Sequence, residues 1–178
     1  MNELTDILSQ ATQKIDGNYF SLPRYDDNNS LRERHYCYEL YHQMRLLWPS
    51  KCEYFLSGEI DKRSHNFIGT LIGYNVIPDF LIHVPGQMNN NTIIEVKTSE
   101  LSSKGIEKDL KNLSVFIEKI EYKRAIFLIF GNDISNETLT IITEKYKFLK
   151  ESGCNLQKIE IWFHNTCGHK ATCVSILE

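Results

Sequence analysis

The sequence has no surplus of positive charge: Lys and Arg number 20 against 23 for Asp and Glu, a formal charge of −3 with a pI near 6.1. A chain so balanced has no bulk attraction for polyanions, so any grip on nucleic acid must come from a local basic surface. Long apolar runs are missing too. The longest, Ala125 to Phe130, is far short of the roughly 20 residues that cross a bilayer. Met1 to Gln10 has neither a basic start nor a hydrophobic stretch of signal-peptide type, so a soluble, intracellular (cytoplasmic) protein with no membrane partner is expected. No Pro-rich or Ser-rich linker, internal repeat or long run of one charge sign divides the 178 residues, and a single domain over 1–178 is expected. The five cysteines, Cys37, Cys52, Cys154, Cys167 and Cys173, are odd in number and irregular in spacing, which favours reduced thiols over a disulfide framework.

What is present suits a packed core. Hydrophobic residues make up 42% of the chain, with nine Tyr and nine Phe, and that content argues against intrinsic disorder. Leu4, Ile7, Leu8, Ala11 and Ile15 recur at helical spacing and predict a short, peripheral first helix. Ser30 and Glu33 read as a capping box opening a long helix that runs to about Trp48 before Pro49, with Cys37, Leu40, Met44 and Leu47 as its apolar stripe. Short strands are expected at Glu53–Leu56 and about Asn66–Ile72, then a meander through Val76–Val84 and Thr92–Lys97. Ile106, Leu110, Leu113, Ile117 and Ile120 mark a helix, Arg124 to Phe130 a strand covered on both faces, and Leu139, Ile142, Tyr146 and Leu149 another helix closed by Gly153. Strands at Ile159–Phe163 and Thr172–Ile176 end the chain, so the order predicts an α/β domain with a mixed sheet.

Alternation along 92–97 puts Ile93, Glu95 and Lys97 on one face and Ile94, Val96 and Thr98 on the other. An isolated Glu-x-Lys is most often an ion pair at a strand end, which contributes little when exposed. Asp79 on the preceding strand changes that reading, because a short loop would bring it beside Glu95. Two carboxylates forced together raise each other's pKa, an arrangement that a hard cation such as Mg²⁺ or Mn²⁺ relieves through oxygen ligation.

Pro78-Asp79, followed sixteen positions after the Asp by Glu95-Val96-Lys97 inside something close to a helix, strand, strand, strand, helix, strand order, resembles the PD-(D/E)xK nuclease superfamily. That resemblance implies a restriction-endonuclease-like fold, a central mixed β-sheet flanked by helices. It covers about Ser30 to Phe130, leaving a C-terminal α/β extension, and the short strand at Glu53–Leu56 departs from it. It further implies metal-dependent hydrolysis of phosphodiesters, with DNA as the foremost substrate and partner. Asp79, Glu95 and the main-chain carbonyl of Val96 would hold Mg²⁺ or Mn²⁺, while Lys97 would orient the attacking water or stabilise the transition state. Many nucleases of this fold pair two sites on two strands, so a homodimer is among the states it allows.

Many members also use a helix glutamate. Glu33 lies on the stripe with Cys37, Leu40 and Met44 and is preferred to Glu39, whose face is polar; the competing role for Glu33 is the capping box with Ser30. In Ser57–Arg63, Glu59 would line the metal cleft and Lys62 and Arg63 would contact phosphate, unless the segment is a solvated turn. Lys104, Lys108 and Lys111 form either a basic rim or, as the preferred reading, a solvated helix face. His164, Cys167, His169 and Cys173 match no usual zinc spacing, and Cys173 is expected in the core. A rival to the enzyme is a nuclease-fold module without catalysis that binds nucleic acid or a protein partner; another is a subunit of a larger assembly.

Overall fold

A computed structural model describes residues 3–25, 29–58, 77–132 and 134–178. Its centre is set by the most apolar stretch of the chain. Arg124–Phe130 forms a strand whose residues from Ala125 to Phe130 are all buried, Ala125, Phe127 and Ile129 on one face and Ile126, Leu128 and Phe130 on the other. A strand apolar on both faces needs cover on both, and the sheet built around it has that cover.

In chain order the strands are β1 Leu22–Pro23, β2 Asn29–Ser30, β3 Phe55–Gly58, β4 Phe80–His83, β5 Asn90–Thr98, β6 Arg124–Phe130, β7 Ile159–His164 and β8 Thr172–Leu177. The helices are α1 Glu3–Gln13, α2 Gly17–Phe20, α3 Glu33–Leu46, α4 Ser103–Ile120 and α5 Asn136–Glu151. β1 and β2 make a small antiparallel ribbon, and the other six strands form one mixed sheet in the order β3-β4-β5-β6-β7-β8. β3, β4 and β5 are antiparallel neighbours, β5, β6 and β7 run parallel, and β8 returns antiparallel to β7.

Parallel neighbours require crossovers, which α4 and α5 supply. Ser102 caps α4 by accepting from the Gly105 N–H, and Ser135 caps α5 in a reciprocal box with Thr138. Ile106, Leu110, Leu113 and Phe116 of α4, with Ile142, Tyr146 and Leu149 of α5, join Ile93, Phe127 and Ile129 in one hydrophobic cluster. Opposite, Leu4, Ile7, Leu8 and Ala11 of α1 and Tyr36, Cys37, Leu40 and Met44 of α3 join Ile94, Val96, Ile126 and Leu128 in another. The result is a mixed α/β architecture with helices on both faces of a six-stranded sheet. Among the described residues no helix is long and apolar enough to cross a membrane.

Several expectations change. α1 is not peripheral: its apolar stripe is buried and packs beside α3 as part of the core. The Ser30–Glu33 capping box does not form, because Ser30 pairs in β2 and the helix is capped by Arg32 without a side-chain bond. α3 stops at Leu46, short of Trp48. The first strand of the sheet lies two residues later than Glu53–Leu56, and it pairs with β4, Phe55 opposite His83 and Gly58 opposite Phe80. β4 is short because residues 77–79 are not paired and Val84 accepts from the Gln87 N–H at the turn carrying Gly86. The strand expected at 66–72 lies outside the described residues. All five cysteines are free, and Cys173 is exposed rather than in the core, since β8 is an edge strand with cover on one side only.

Candidate active site

β4 begins at Phe80 opposite Ile94, so its ladder stops short of Val96. The Val96 N–H on that side is taken up by Asp79, whose Oδ2 accepts it at 2.7 Å. One residue's N–H and C=O point to the same side of a strand, so the Val96 carbonyl faces the same gap. The Asp79 side chain also meets Glu95, which donates to it. Burial, opposed by the Val96 N–H, pushes the Asp79 carboxyl up to about 6. Burial, followed by the charges of Asp79 and Asp109, holds Glu95 well above the usual carboxylate range.

Lys97, on the same face of β5 as Glu95, reaches into a second acidic environment. Its Nζ donates to Glu33 Oε2 at 2.8 Å and lies 3.5 Å from Asp109 Oδ2. Glu33 arrives from the first turn of α3 and Asp109 from the second turn of α4, so the helix layers on the two faces of the sheet meet at this lysine. Burial works against its charge, but Asp109, Glu33 and Asp79 outweigh that and keep the ammonium above the ordinary lysine range. Asp109 is itself only 2% exposed, and burial, countered by Lys97, raises its carboxyl to about 6.

The structure therefore brings together Asp79, Glu95, Lys97, Glu33 and the Val96 backbone, and adds Asp109. Reading Lys104, Lys108 and Lys111 as one basic face treats Asp109 as a mere interruption. Its position three residues after Ile106 and one before Leu110 puts it on the apolar stripe of α4, which is the signal that identifies it. Glu39 is elsewhere, bonded by the Gln43 side-chain amide at 2.6 Å. Lys111 pairs with Glu107 at 2.7 Å while Lys104 and Lys108 are exposed, as a solvated helix face requires. Glu59, Lys62 and Arg63 lie outside the described residues.

Neither cysteine chemistry nor zinc is supported by the surroundings. The Cys37 thiol borders the acidic cluster, and burial followed by Asp79, Glu33 and Glu95 pushes its pKa well up, away from a nucleophilic thiolate. His164 is buried against the Tyr36 hydroxyl at 2.8 Å, and Cys167 Sγ faces the Ile15 carbonyl at 3.5 Å. Among the described residues, no group of three or more His, Cys, Asp or Glu side chains is arranged to hold a metal ion. In kind, though, the Asp79 and Glu95 carboxylates beside a main-chain carbonyl are the all-oxygen donors that Mg²⁺ or Mn²⁺ takes. Two carboxylates this close repel each other when both are ionised, and either a proton or a cation's charge relieves that repulsion.

A cleft of about 210 Å³ opens beside this cluster, lined by Cys37, Tyr38, Tyr41, Gly58, Asp79 and Phe80. Compared with family models, with curated proteins and with solved structures, the chain finds no match in any of the three.

Proposed function

We propose that this chain is a divalent-metal-dependent nuclease of PD-(D/E)xK type with a restriction-endonuclease-like fold, hydrolysing phosphodiester bonds, foremost in DNA. The observation that supports this reading is the meeting of Asp79, Glu95 and Lys97 at the C-terminal end of β5, from residues otherwise surrounded by core. Asp79, Glu95 and the Val96 carbonyl would hold Mg²⁺ or Mn²⁺, which when bound lowers the pKa of a coordinated water and neutralises charge on the phosphate. Lys97 is held charged by its acidic neighbours, so it stays a cation at neutral pH and offers its ammonium to the attacking water or to the negative charge that builds on phosphorus. Glu33 fixes the direction of that ammonium through their 2.8 Å bond.

The test is cleavage of labelled single-stranded, duplex and branched DNA in Mg²⁺ by the purified chain and by Lys97→Ala. Loss of roughly 100- to 1,000-fold in the variant is expected. Cleavage that survives in Lys97→Ala would assign the activity to a contaminant and sink the reading.

One observation favours a second reading, a module without catalysis: Asp79 and Glu95 already satisfy each other, and Glu33 satisfies Lys97. Calorimetric titration with Mn²⁺ separates the two. Saturable binding that disappears in Asp79→Ala supports the enzyme, and absence of binding supports the module.

A further inference from the structure

The cleft beside Asp79 has features that the acid cluster does not require. Its outer wall is aromatic: Tyr38 and Tyr41 stand three residues apart on α3, one turn of the same face. Tyr38 is 57% exposed, so its ring is not part of the core, which α3 meets through Tyr36, Cys37, Leu40 and Met44. Tyr41 is half-buried, and its hydroxyl donates to the Leu56 carbonyl at 3.5 Å. Phe80 and Cys37 close the back, and Asp79 stands at one end.

The floor is open because residue 58 is glycine. A Cβ there would lie 3.5 Å from Tyr41 Cδ2 and 3.7 Å from the Asp79 carbonyl, so a methyl group fits but a larger side chain would fill the space. At about 210 Å³ the cleft is below the roughly 300 Å³ at which drug-sized pockets begin. That is room for one planar ring system, not for a whole nucleotide. Four residues beyond Tyr41, about 6 Å along the helix axis, the exposed Arg45 supplies a cation on the same face.

We propose that this cleft is a nucleobase subsite: a base next to the scissile phosphate stacks on Tyr38 and Tyr41, and Arg45 holds a neighbouring phosphate. The proposal rests on the nuclease reading and narrows its substrate. Bases inside a duplex have both faces stacked on their neighbours and cannot enter the cleft unless unpaired or flipped, so the substrate is single-stranded or locally unpaired nucleic acid. Every base has a π-face, so stacking makes the site tolerant of sequence.

The experiment measures fluorescence anisotropy of a labelled oligothymidylate, alone and annealed to its complement, with Ca²⁺ replacing Mg²⁺, beside the cleavage assay in Mg²⁺. The single strand should bind at least about 10-fold more tightly than the duplex. Tyr38→Ala and Gly58→Val, the second filling the cleft with a strand-compatible residue, should each weaken single-strand binding roughly 5- to 100-fold, and Tyr38→Phe should keep it. Equal binding of duplex and single strand, absence of binding, or full affinity in both Tyr38→Ala and Gly58→Val overturns the subsite. If cleavage remains dependent on Lys97 in that case, the nuclease reading stands without it. If binding follows the predicted pattern but nothing is cut, the subsite stands and the catalytic reading falls.

Discussion

β5 and β6 run parallel and in register, with Glu95 opposite Phe127 and Lys97 opposite Ile129. All four side chains look towards the layer of α4 and α5, and Glu95 at 5% exposed is almost as buried as Phe127. On β6 that position is used for packing. On β5 it is used for a carboxyl and an ammonium, with Asp109 placed over them by α4 and Asp79 beside them from the unpaired residue just before β4. Burying such groups costs free energy that apolar residues of similar volume do not incur. A chain selected for stability alone would continue the β6 pattern across β5, so the departure marks where the fold gives up stability, as the proposed active site would require.

The largest effect should come from the packing side. Phe127→Ala is expected to lower stability by about 3–5 kcal/mol, read from urea denaturation, and a loss under about 1 kcal/mol would show that the two strands are not the contrast described. The reverse behaviour is expected across the register. Glu95→Gln keeps the shape and removes a buried acid whose ionisation burial opposes, so the fold should hold its melting temperature or gain while divalent-dependent cleavage disappears. Wild-type cleavage, or melting lowered as far as in Phe127→Ala, would place Glu95 with the structural residues.

A smaller effect is a pH dependence. Asp109 has its folded pKa raised from 3.8 to about 6, so between those values the folded state binds more protons than the unfolded one, and stability falls as pH rises. Asp109→Asn lacks that fall. Its stability relative to wild type should therefore increase from about pH 4 to about pH 6 and then level off, and a difference flat with pH would contradict the burial assigned to this carboxyl. The smallest effect concerns the half-exposed Glu107–Lys111 pair of α4, where Glu107 also lies 3.7 Å from Lys145. Lys111→Ala should leave melting temperature and cleavage unchanged within error.

The sequence makes β6 legible to the residue because its apolar run is continuous and bounded by Arg124 and Gly131. It also makes Asp79, Glu95 and Lys97 legible, since alternation along β5 and a short loop back to β4 leave them few other places. Asp109 is harder to read, because a single carboxylate on an apolar helix stripe becomes meaningful only once the lysine under it is placed. The depth of α1 is hidden for a related reason: an amphipathic stripe says which side is buried but not how much lies over it. Ser30 and Glu33 have the spacing of a cap, yet long-range contacts take both, Ser30 into pairing with Leu22 and Glu33 to Lys97.

The short β4 has a spectroscopic consequence. Because the ladder ends before Val96, that amide proton belongs to a side-chain carboxylate instead of a neighbouring strand. Its chemical shift and its exchange with solvent deuterium are therefore tied to whatever Asp79 is doing. Protonation of that carboxylate, or a cation drawing on it, would each register at Val96, while amides held within β6 stay silent. A single backbone resonance on an interior strand thus reports the state of the Asp79 carboxylate.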